Sequence, residues 1–234
     1  MAEAISIGDP AIEVRLRRSS RARRMVLRVA HPGTGPTLTL PPGVSVSRAR
    51  DFLNDHEGWL RRHLAARPRP AMVGEGTVLP FGDRTLTISA AAARATVHRD
   101  GVLGVPGPAE GRPARVAAWL REEARRACAT AVDRHAAQLG VRPGRISMRD
   151  PRSRWGSCTA DGDLMFSWRL IMAPSAVLDY VVAHEVAHLV ELNHSPRFWA
   201  VVARLYPEYE APREWLRRHG AELHGLDFGG RAAA

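Results

Sequence analysis

Residues 175–199 read SAVLDYVVAHEVAHLVELNHSPRFW, an apolar run interrupted by charged and imidazole side chains. Ser175 is a suitable N-cap, and the pattern predicts a helix that continues to Val190. On such a helix His184 and His188 lie four residues apart, so their imidazoles project from one face, one turn apart. Glu185 directly follows the first histidine. This arrangement predicts a metal site with an adjacent general base.

The letters HEVAH also arise by chance in helices that bind no metal. The flanking residues argue against that interpretation, because valine, alanine and leucine surround the three polar residues and predict a buried helix. Burying two histidines and a glutamate without a partner is costly. A metal ion accounts for all three residues, and Zn²⁺ is the ion that we expect.

A catalytic zinc ion usually has three protein ligands. His194 completes the spacing H-x-x-x-H-x-x-x-x-x-H, which matches the three histidines of the metzincin pattern. Glu191 stands where metzincins have a glycine, so we expect the chain to turn at Asn193 in the left-handed conformation. Ser195 and Pro196 then begin a new helix that holds His194 at a corner. The alternative third ligand is a later carboxylate: Glu208, Glu210 or Glu214.

The first half of the chain is expected to be mostly β. Alternating apolar residues predict strands over 12–40 and 77–103, with turns at His31-Pro32-Gly33, Pro41-Pro42-Gly43 and Asp100-Gly101. One helix is expected between them, capped by Ser45 or Ser47 and broken after about Ala66 by Arg67-Pro68-Arg69-Pro70. The glycine- and proline-rich segment 107–113 is the expected linker. We therefore predict a β-rich amino-terminal lobe with one helix, residues 1–108, and a metal-dependent catalytic domain, residues 114–228.

The second half changes to a helical period. Ala114 to Leu139 contains no glycine or proline and predicts one long amphipathic helix that ends at Gly140. A short strand is expected over 146–148 and a longer one over 163–172. The predicted fold class is α+β, with helices packed on a small sheet and HEVAH on the active helix.

Composition excludes several classes of protein. The 234 residues are 45% hydrophobic and 25% charged, which is unlike disordered, collagen-like or coiled-coil chains. The formal net charge is +10, and every basic residue is arginine, a usage that suits anion binding but also follows from base composition. Two distant cysteines, Cys128 and Cys158, predict reduced thiols. Without a signal peptide or membrane span in the sequence, the expected location is the cytoplasm.

A wider set of motifs carries a family resemblance. Arg154-Trp155-Gly156-Ser157-Cys158, the HEVAHL helix and Asn193-His194-Ser195-Pro196-Arg197-Phe198-Trp199 together resemble the YgjP-like metallopeptidase family, which is related to the WLM and SprT-like groups. The resemblance implies a zincin-type domain with His184, His188 and His194 as zinc ligands and Glu185 as base. The family's peptidase label rests mostly on this motif, so the substrate does not follow from it.

Three features of the expected cleft stay open. Trp155 and Gly156 favour a tight turn beneath the site, with Cys158 as a less favoured thiolate ligand. The strand over 163–172 is expected to form the rim along which an extended peptide adds. Candidates to stabilise the developing oxyanion are Tyr206, Tyr209, His219, His224 and Arg169.

The function expected first is a zinc-dependent metallopeptidase, in which Glu185 activates a zinc-bound water to hydrolyse a peptide or protein. One alternative is a metal-dependent nucleotide pyrophosphatase or phosphohydrolase, because a phosphorylated substrate suits the clustered arginines Arg15, Arg17, Arg18, Arg21, Arg23 and Arg24, although the sequence lacks a glycine-rich phosphate loop. Another, suggested by the related groups, is a DNA-associated SprT-like protease that its basic amino-terminal lobe carries to nucleic acid, although the sequence shows no zinc finger, helix-turn-helix or basic patch interleaved with aromatic residues. A closed structural zinc site is disfavoured, because it has no use for Glu185.

Overall fold

The computed structural model describes residues 3–29, 35–65 and 70–229, and these form a mixed α+β fold with six α-helices. The chain divides into two compact units, Met1–Ala71 and Met72–Ala234. The expected turn at 31–33 and the helix break at 67–69 lie outside the described residues.

The first unit is a four-stranded sheet with two helices. Its strands are β1 (Ala4–Ile7), β2 (Ile12–Arg18), β3 (Val26–Arg28) and β4 (Thr37–Leu40), in the order β1-β2-β4-β3. The central pair β2 and β4 is parallel and the outer pairs are antiparallel. Alternation along the strands buries one face of the sheet, including Val14, Leu16, Leu38 and Leu40.

The expectation of one helix in this unit is wrong, because two helices form. Helix α1 (Val46–Asp55) is capped by Ser45 as predicted, since its Oγ accepts from the Arg48 N–H at 3.2 Å. The helix ends at His56, whose φ of −105° and ψ of 6° are not helical. Its Nδ1 lies 2.8 Å from the Phe52 carbonyl, and α2 (Glu57–Ala65) begins immediately afterwards.

The second unit opens with a sheet of the same topology. After β5 (Ala71–Met72), the strands β6 (Val78–Phe81), β7 (Arg84–Ala90), β8 (Val97–Arg99) and β9 (Val102–Val105) lie in the order β6-β7-β9-β8, again with a parallel central pair. Asp100 and Gly101 have positive φ values of 50° and 76°, which confirms the turn predicted there.

This sheet shares a core with the long helix that follows it. Leu79, Ile88 and Leu103 belong to the same buried cluster as Val116 and Leu120 of that helix. The compact units therefore divide at 71/72, earlier in the chain than the linker expected at 107–113, because strands and helix bury one another.

The long helix α3 (Arg112–Leu139) begins two residues before its predicted start and ends as predicted. Gly140 adopts the left-handed conformation with φ of 68°, which suits glycine at a helix C-terminus. Buried residues recur every three or four positions along α3: Val116, Leu120, Ala124, Cys128, Val132 and Ala136.

A three-stranded sheet follows, in which β12 (Leu164–Ser167) lies between β10 (Ile146–Arg149) and β11 (Gly156–Cys158). The expected strand over 163–172 is therefore too long, because Trp168–Met172 form a 3-10 helix with every side chain buried. The expected turn at Trp155-Gly156 is also wrong, since Gly156 begins β11 and pairs with Phe166.

The remaining helices surround the predicted metal site. Helix α4 spans Ser175–Ala187, α5 spans Pro196–Leu205 and α6 spans Glu210–His219; the 3-10 helix Gly220–His224 and β13 (Leu226–Asp227) follow. Ser175 is the first residue of α4 rather than its N-cap, and its backbone N–H and hydroxyl both donate to Asp83. Among the described residues no helix combines the length and the apolar character that crossing a membrane requires.

Polar contacts fix α4 against α3. Asp179 of α4 lies 2.8 Å from the Nε2 atom of His135, which is 2% exposed, and also binds Arg134. A charge-assisted pair at a buried position is costly to break from one side. These contacts hold the helix that carries His184 and Glu185 in place.

The core beneath α4 gives a first prediction. Phe166 of β12 is 0% exposed, so we expect Phe166→Ala to lower the free energy of unfolding by about 3–5 kcal/mol in urea denaturation. Met165→Ala is the control, because its side chain points to the other face and is only half-buried. Equal losses for the two variants would contradict this packing.

Candidate metal centre

Three histidines converge at the carboxyl end of α4. His184 lies in its last turn, His188 is its C-cap residue and His194 precedes α5. One nitrogen of each ring lies within 4.8 Å of the other two. The structure therefore brings together the three residues that the spacing selected.

Local contacts orient two of these rings. The Nδ1 atom of His188 lies 2.9 Å from the Glu191 carbonyl oxygen, so Nδ1 carries the proton and the lone pair of Nε2 is free. The Nε2 atoms of His184 and His194 are 3.0 Å apart, a separation at which two ring nitrogens share a proton or face a common cation. Among the described side chains, His184 Nδ1 is one of the few buried polar atoms without a hydrogen-bond partner.

Phe198 of α5 supports all three imidazoles. Its ring centroid lies 4.4 Å from that of His188 and 4.8 Å from those of His184 and His194, and the side chain is 0% exposed. Packing of Phe198 under the His194 corner agrees with the helical spacing of residues 197–205, whereas its contacts with His184 and His188 were not predicted from the sequence. Phe198 lies three residues after the N-cap Ser195. The position of this cap determines which face of α5 meets the histidines, so it is the sequence feature that could have identified Phe198.

The corner between α4 and α5 differs from the expectation. Helix α4 stops at Ala187 rather than Val190, and Asn193 is not left-handed, since Asp100 is the positive-φ residue other than glycine among those described. Instead Asn193 Oδ1 accepts from the Ser195 N–H at 3.0 Å. Ser195 caps α5 as predicted, accepting from the Phe198 N–H at 3.3 Å.

Burial holds His184 and His188 in their neutral form. Burial lowers the pKa of His184 to about 3, with further contributions from His188 and His194. Burial also lowers the pKa of His188, against the raising effect of its bond to the Glu191 carbonyl. Neutral imidazole is the form that ligates a metal, so the protein need not release protons from these rings to bind one.

Glu185 lies beside the cluster in a space that a glycine provides. A Cβ atom added to Gly156 would come within 2.6 Å of Glu185 Cγ and Oε1, so no larger residue fits without moving the carboxylate. Glu185 is 6% exposed, and burial raises its pKa to about 8, while Arg154 acts in the opposite direction. A carboxyl with a pKa near neutrality can both take up and release a proton.

The cluster opens into a cleft of about 400 Å³. Apolar surfaces of Trp155, Leu192 and Leu216 line it together with the polar groups of Arg154 and Tyr180. Such a mixture of an apolar wall and a few polar groups is typical of ligand sites.

The alternative ligands lie elsewhere. Among the described residues no carboxylate or thiolate joins the three imidazoles within ligand distance. Glu214 binds Arg217 and Arg218 on its own helix, and Glu208 lines a separate cavity beside Gln138. Cys158 lines the cleft, but its Sγ donates to the Thr159 carbonyl, and burial raises the pKa of the thiol. Both cysteines are free, as predicted.

The structure removes most of the candidates for an oxyanion donor. Arg169 is buried against the Asp150 carboxylate and the Leu223 carbonyl, and His219 lies 3.0 Å from Glu222. Tyr206 lines a separate cavity together with Arg134, away from the histidine cluster.

The remaining two oxyanion-donor candidates, His224 and Tyr209, stack on aromatic side chains. His224 stacks on Trp155 at 5.2 Å, and Tyr209 stacks on Trp199 at 5.4 Å. Neither lines the cleft, whereas Tyr180 does, one turn before His184 on α4. This phenol was not among the predicted donors, although its i−4 spacing from His184 places it on the same helix face.

The expected rim strand is also different. Because β12 is the central strand of its sheet, it has no free edge, whereas β11 lies at the edge and lines the cleft with Gly156 to Cys158. An added strand would therefore pair with β11.

Comparison with known proteins bears on this centre. A family model described as YgjP-like, metallopeptidase domain, matches residues 23–219. The chain belongs to the YgjP-like family. Its matched region contains the whole histidine cluster and both sides of the cleft, and this YgjP-like chain thus carries a metallopeptidase domain.

Two further comparisons add little. No curated protein matches the sequence. The crystal structure of the metallopeptidase zymogen of Pyrococcus abyssi abylysin is similar over 43% of this chain and 99% of that one, with 19% identity and a TM-score of 0.37.

The raised pKa of Glu185 predicts a pH dependence of stability in metal-free protein. Between its ordinary value of 4.5 and about 8, the folded state holds a proton that the unfolded chain releases. The contribution of Glu185 to the free energy of unfolding should therefore fall as pH rises through this interval, by at most about 1.4 kcal/mol per pH unit, whereas His184 and His188, with lowered pKa values, contribute in the opposite direction below about pH 6.5. Glu185→Gln should lack this decline in urea denaturation of chelator-treated protein at pH 5, 6, 7 and 8. Parallel profiles for the two proteins would contradict the assignment.

Proposed function

We propose that the chain is a zinc-dependent metallopeptidase of the zincin type, with His184, His188 and His194 as ligands and Glu185 as general base. The observation that supports the proposal most is the convergence of three imidazole nitrogens within 4.8 Å, beside a buried carboxylate at a cleft. Three imidazole nitrogen donors suit Zn²⁺ and leave room for a further ligand.

The donor set fits such an ion on local grounds. His188 has Nε2 free because Nδ1 donates to a carbonyl, and His184 is kept unprotonated by burial. When bound, zinc supplies Lewis acidity, which acidifies water to a pKa of about 7 and polarises a carbonyl.

Glu185 performs the proton transfers in this proposal. Its carboxylate accepts a proton from the attacking water and returns it to the amine that leaves when the peptide bond breaks. Burial raises the pKa of Glu185 and Arg154 lowers it, and the resulting value of about 8 lets the group both accept and donate a proton near neutral pH.

Tyr180 is the donor that we assign to the developing negative oxygen. It lines the cleft, and burial raises its pKa to about 12, so the phenol keeps its proton at neutral pH. The exposed edge of β11 would align an extended peptide next to these groups. Both thiols are free, and the compartment that we propose is the reducing cytoplasm.

The role of Glu185 predicts a separation of metal binding from catalysis. Glu185→Gln should retain zinc, because the glutamate is not a ligand, and should cleave peptides about 10²–10⁴-fold more slowly. Zinc-loaded wild type and variant are compared on a peptide library by mass spectrometry, with metal content measured on the same samples. An active variant would disprove the role, and release of phosphate from nucleoside triphosphates without peptide cleavage would favour a phosphohydrolase instead.

Gly156 gives a second test of the geometry. Gly156→Ala should displace the Glu185 carboxylate and lower peptide cleavage roughly 10²-fold while zinc content stays unchanged. Ser147→Ala is the control, because Ser147 lies on β10, the opposite edge strand of the same sheet, and this variant should remain close to wild type. If Gly156→Ala has full activity, the close approach of β11 to Glu185 has no catalytic role.

A further inference from the structure

Positive charge is concentrated in the first compact unit. Residues 1–71 contain 13 arginines and six acidic residues, so this third of the chain contributes +7 of the total formal charge of +10. Several of these arginines lie on the strands of the four-stranded sheet.

Strand register places three of them on one face. Arg15 of β2 and Arg28 of β3 are both paired with Thr37 of β4, and Arg17 is paired with the next threonine of that face, Thr39. Val14, Leu16, Leu38 and Leu40 alternate with them and are buried on the other face. We call the exposed surface formed by Arg15, Arg17, Arg28, Thr37 and Thr39 the basic face.

The guanidinium groups of this face have no acidic partners among the described residues. Arg15, Arg17 and Arg28 are exposed and appear in no ion pair of the described chain. Arg18 differs, because it points the other way and binds the Val44 carbonyl at 2.9 Å and Glu3 at 3.8 Å. Glu13 is the acidic residue on the same side of β2, at the end paired with Ser6.

The loop after β2 extends the charge. It adds three exposed arginines that likewise form no ion pair among the described residues: Arg21, Arg23 and Arg24. Unpaired arginines held at fixed spacing indicate a function for the charge outside the unit itself.

We propose that the basic face binds the phosphate backbone of a nucleic acid. Arginine and threonine side chains are common phosphate ligands. Adjacent positions on one face of a strand are about 7 Å apart, and Arg15 and Arg28 are separated by two strand spacings, about 10 Å. Because neighbouring phosphates of one strand are several ångströms apart, three guanidinium groups at these separations can contact more than one phosphate of the same strand.

Other partners fit the surface less well. Protein interfaces have an apolar and often aromatic centre, whereas the apolar residues in register with this face are the half-buried Val26 and the small side chain of Ala4. Phe52 and Trp59, the aromatic residues of helices α1 and α2, pack against the core instead. Membrane-surface binding similarly needs apolar groups that insert beside the charge.

The test measures binding of the full-length protein to fluorescent 20-nucleotide DNA, the corresponding duplex and an RNA of the same sequence, by anisotropy between 50 and 200 mM salt. The triple variant Arg15→Gln, Arg17→Gln and Arg28→Gln should lose at least tenfold in affinity at 100 mM salt. The slope of log K against log salt should become shallower by roughly one for each phosphate contact removed.

The control removes the same charge from the second unit. Arg84, Arg94 and Arg142 are exposed and form no ion pair among the described residues, so their triple glutamine variant should bind within about twofold of wild type. Thermal unfolding confirms that both variants are folded, and Arg→Lys at the three positions of the basic face should restore part of the affinity.

Several outcomes would overturn the proposal. Equal weakening by the two triple variants would mean attraction by net charge rather than by the basic face. Absence of binding to DNA and RNA at 50 mM salt, or binding only to vesicles containing phosphatidylserine, would also refute it.

Discussion

The geometry of the metal centre depends on one constraint: His184, His188 and Glu185 are held at the carboxyl end of a helix that is otherwise buried. Removing such groups from water is costly, and burial shifts the pKa of each toward its neutral form. Neutral imidazoles with one oriented proton are also suitable metal ligands. The same burial thus raises the free-energy cost of folding the centre and keeps its imidazoles in the form that binds a metal ion.

The neighbours of α4 follow from that constraint. Phe198 lies against all three rings, Gly156 leaves space for Glu185, and His135 with Asp179 fixes α4 on α3. Each neighbour comes from a different element, so the site depends on the packing of the second unit as a whole. Within the Trp-Gly-Ser-Cys segment, Gly156–Cys158 form an edge strand that packs against Glu185, rather than a turn.

Sequence patterns predicted the parts of this arrangement that depend on local spacing. The histidine positions, the Ser195 cap and the Gly140 terminus were predictable because period and cap chemistry act within a few residues. The length of the strand before α4, the early end of α4 and the position of Tyr180 in the cleft were not, because they depend on which buried faces meet. The matching topology of the two four-stranded sheets was equally hidden, since short strands of different sequence share only their pairing.

The most direct test of the central claim is the X-ray absorption spectrum of zinc-loaded protein at the zinc K edge. We predict three imidazole nitrogens at about 2.0–2.1 Å and one oxygen ligand in a four-coordinate shell. A sulfur ligand at about 2.3 Å, fewer than three imidazoles, or failure to bind one zinc ion per chain would contradict it.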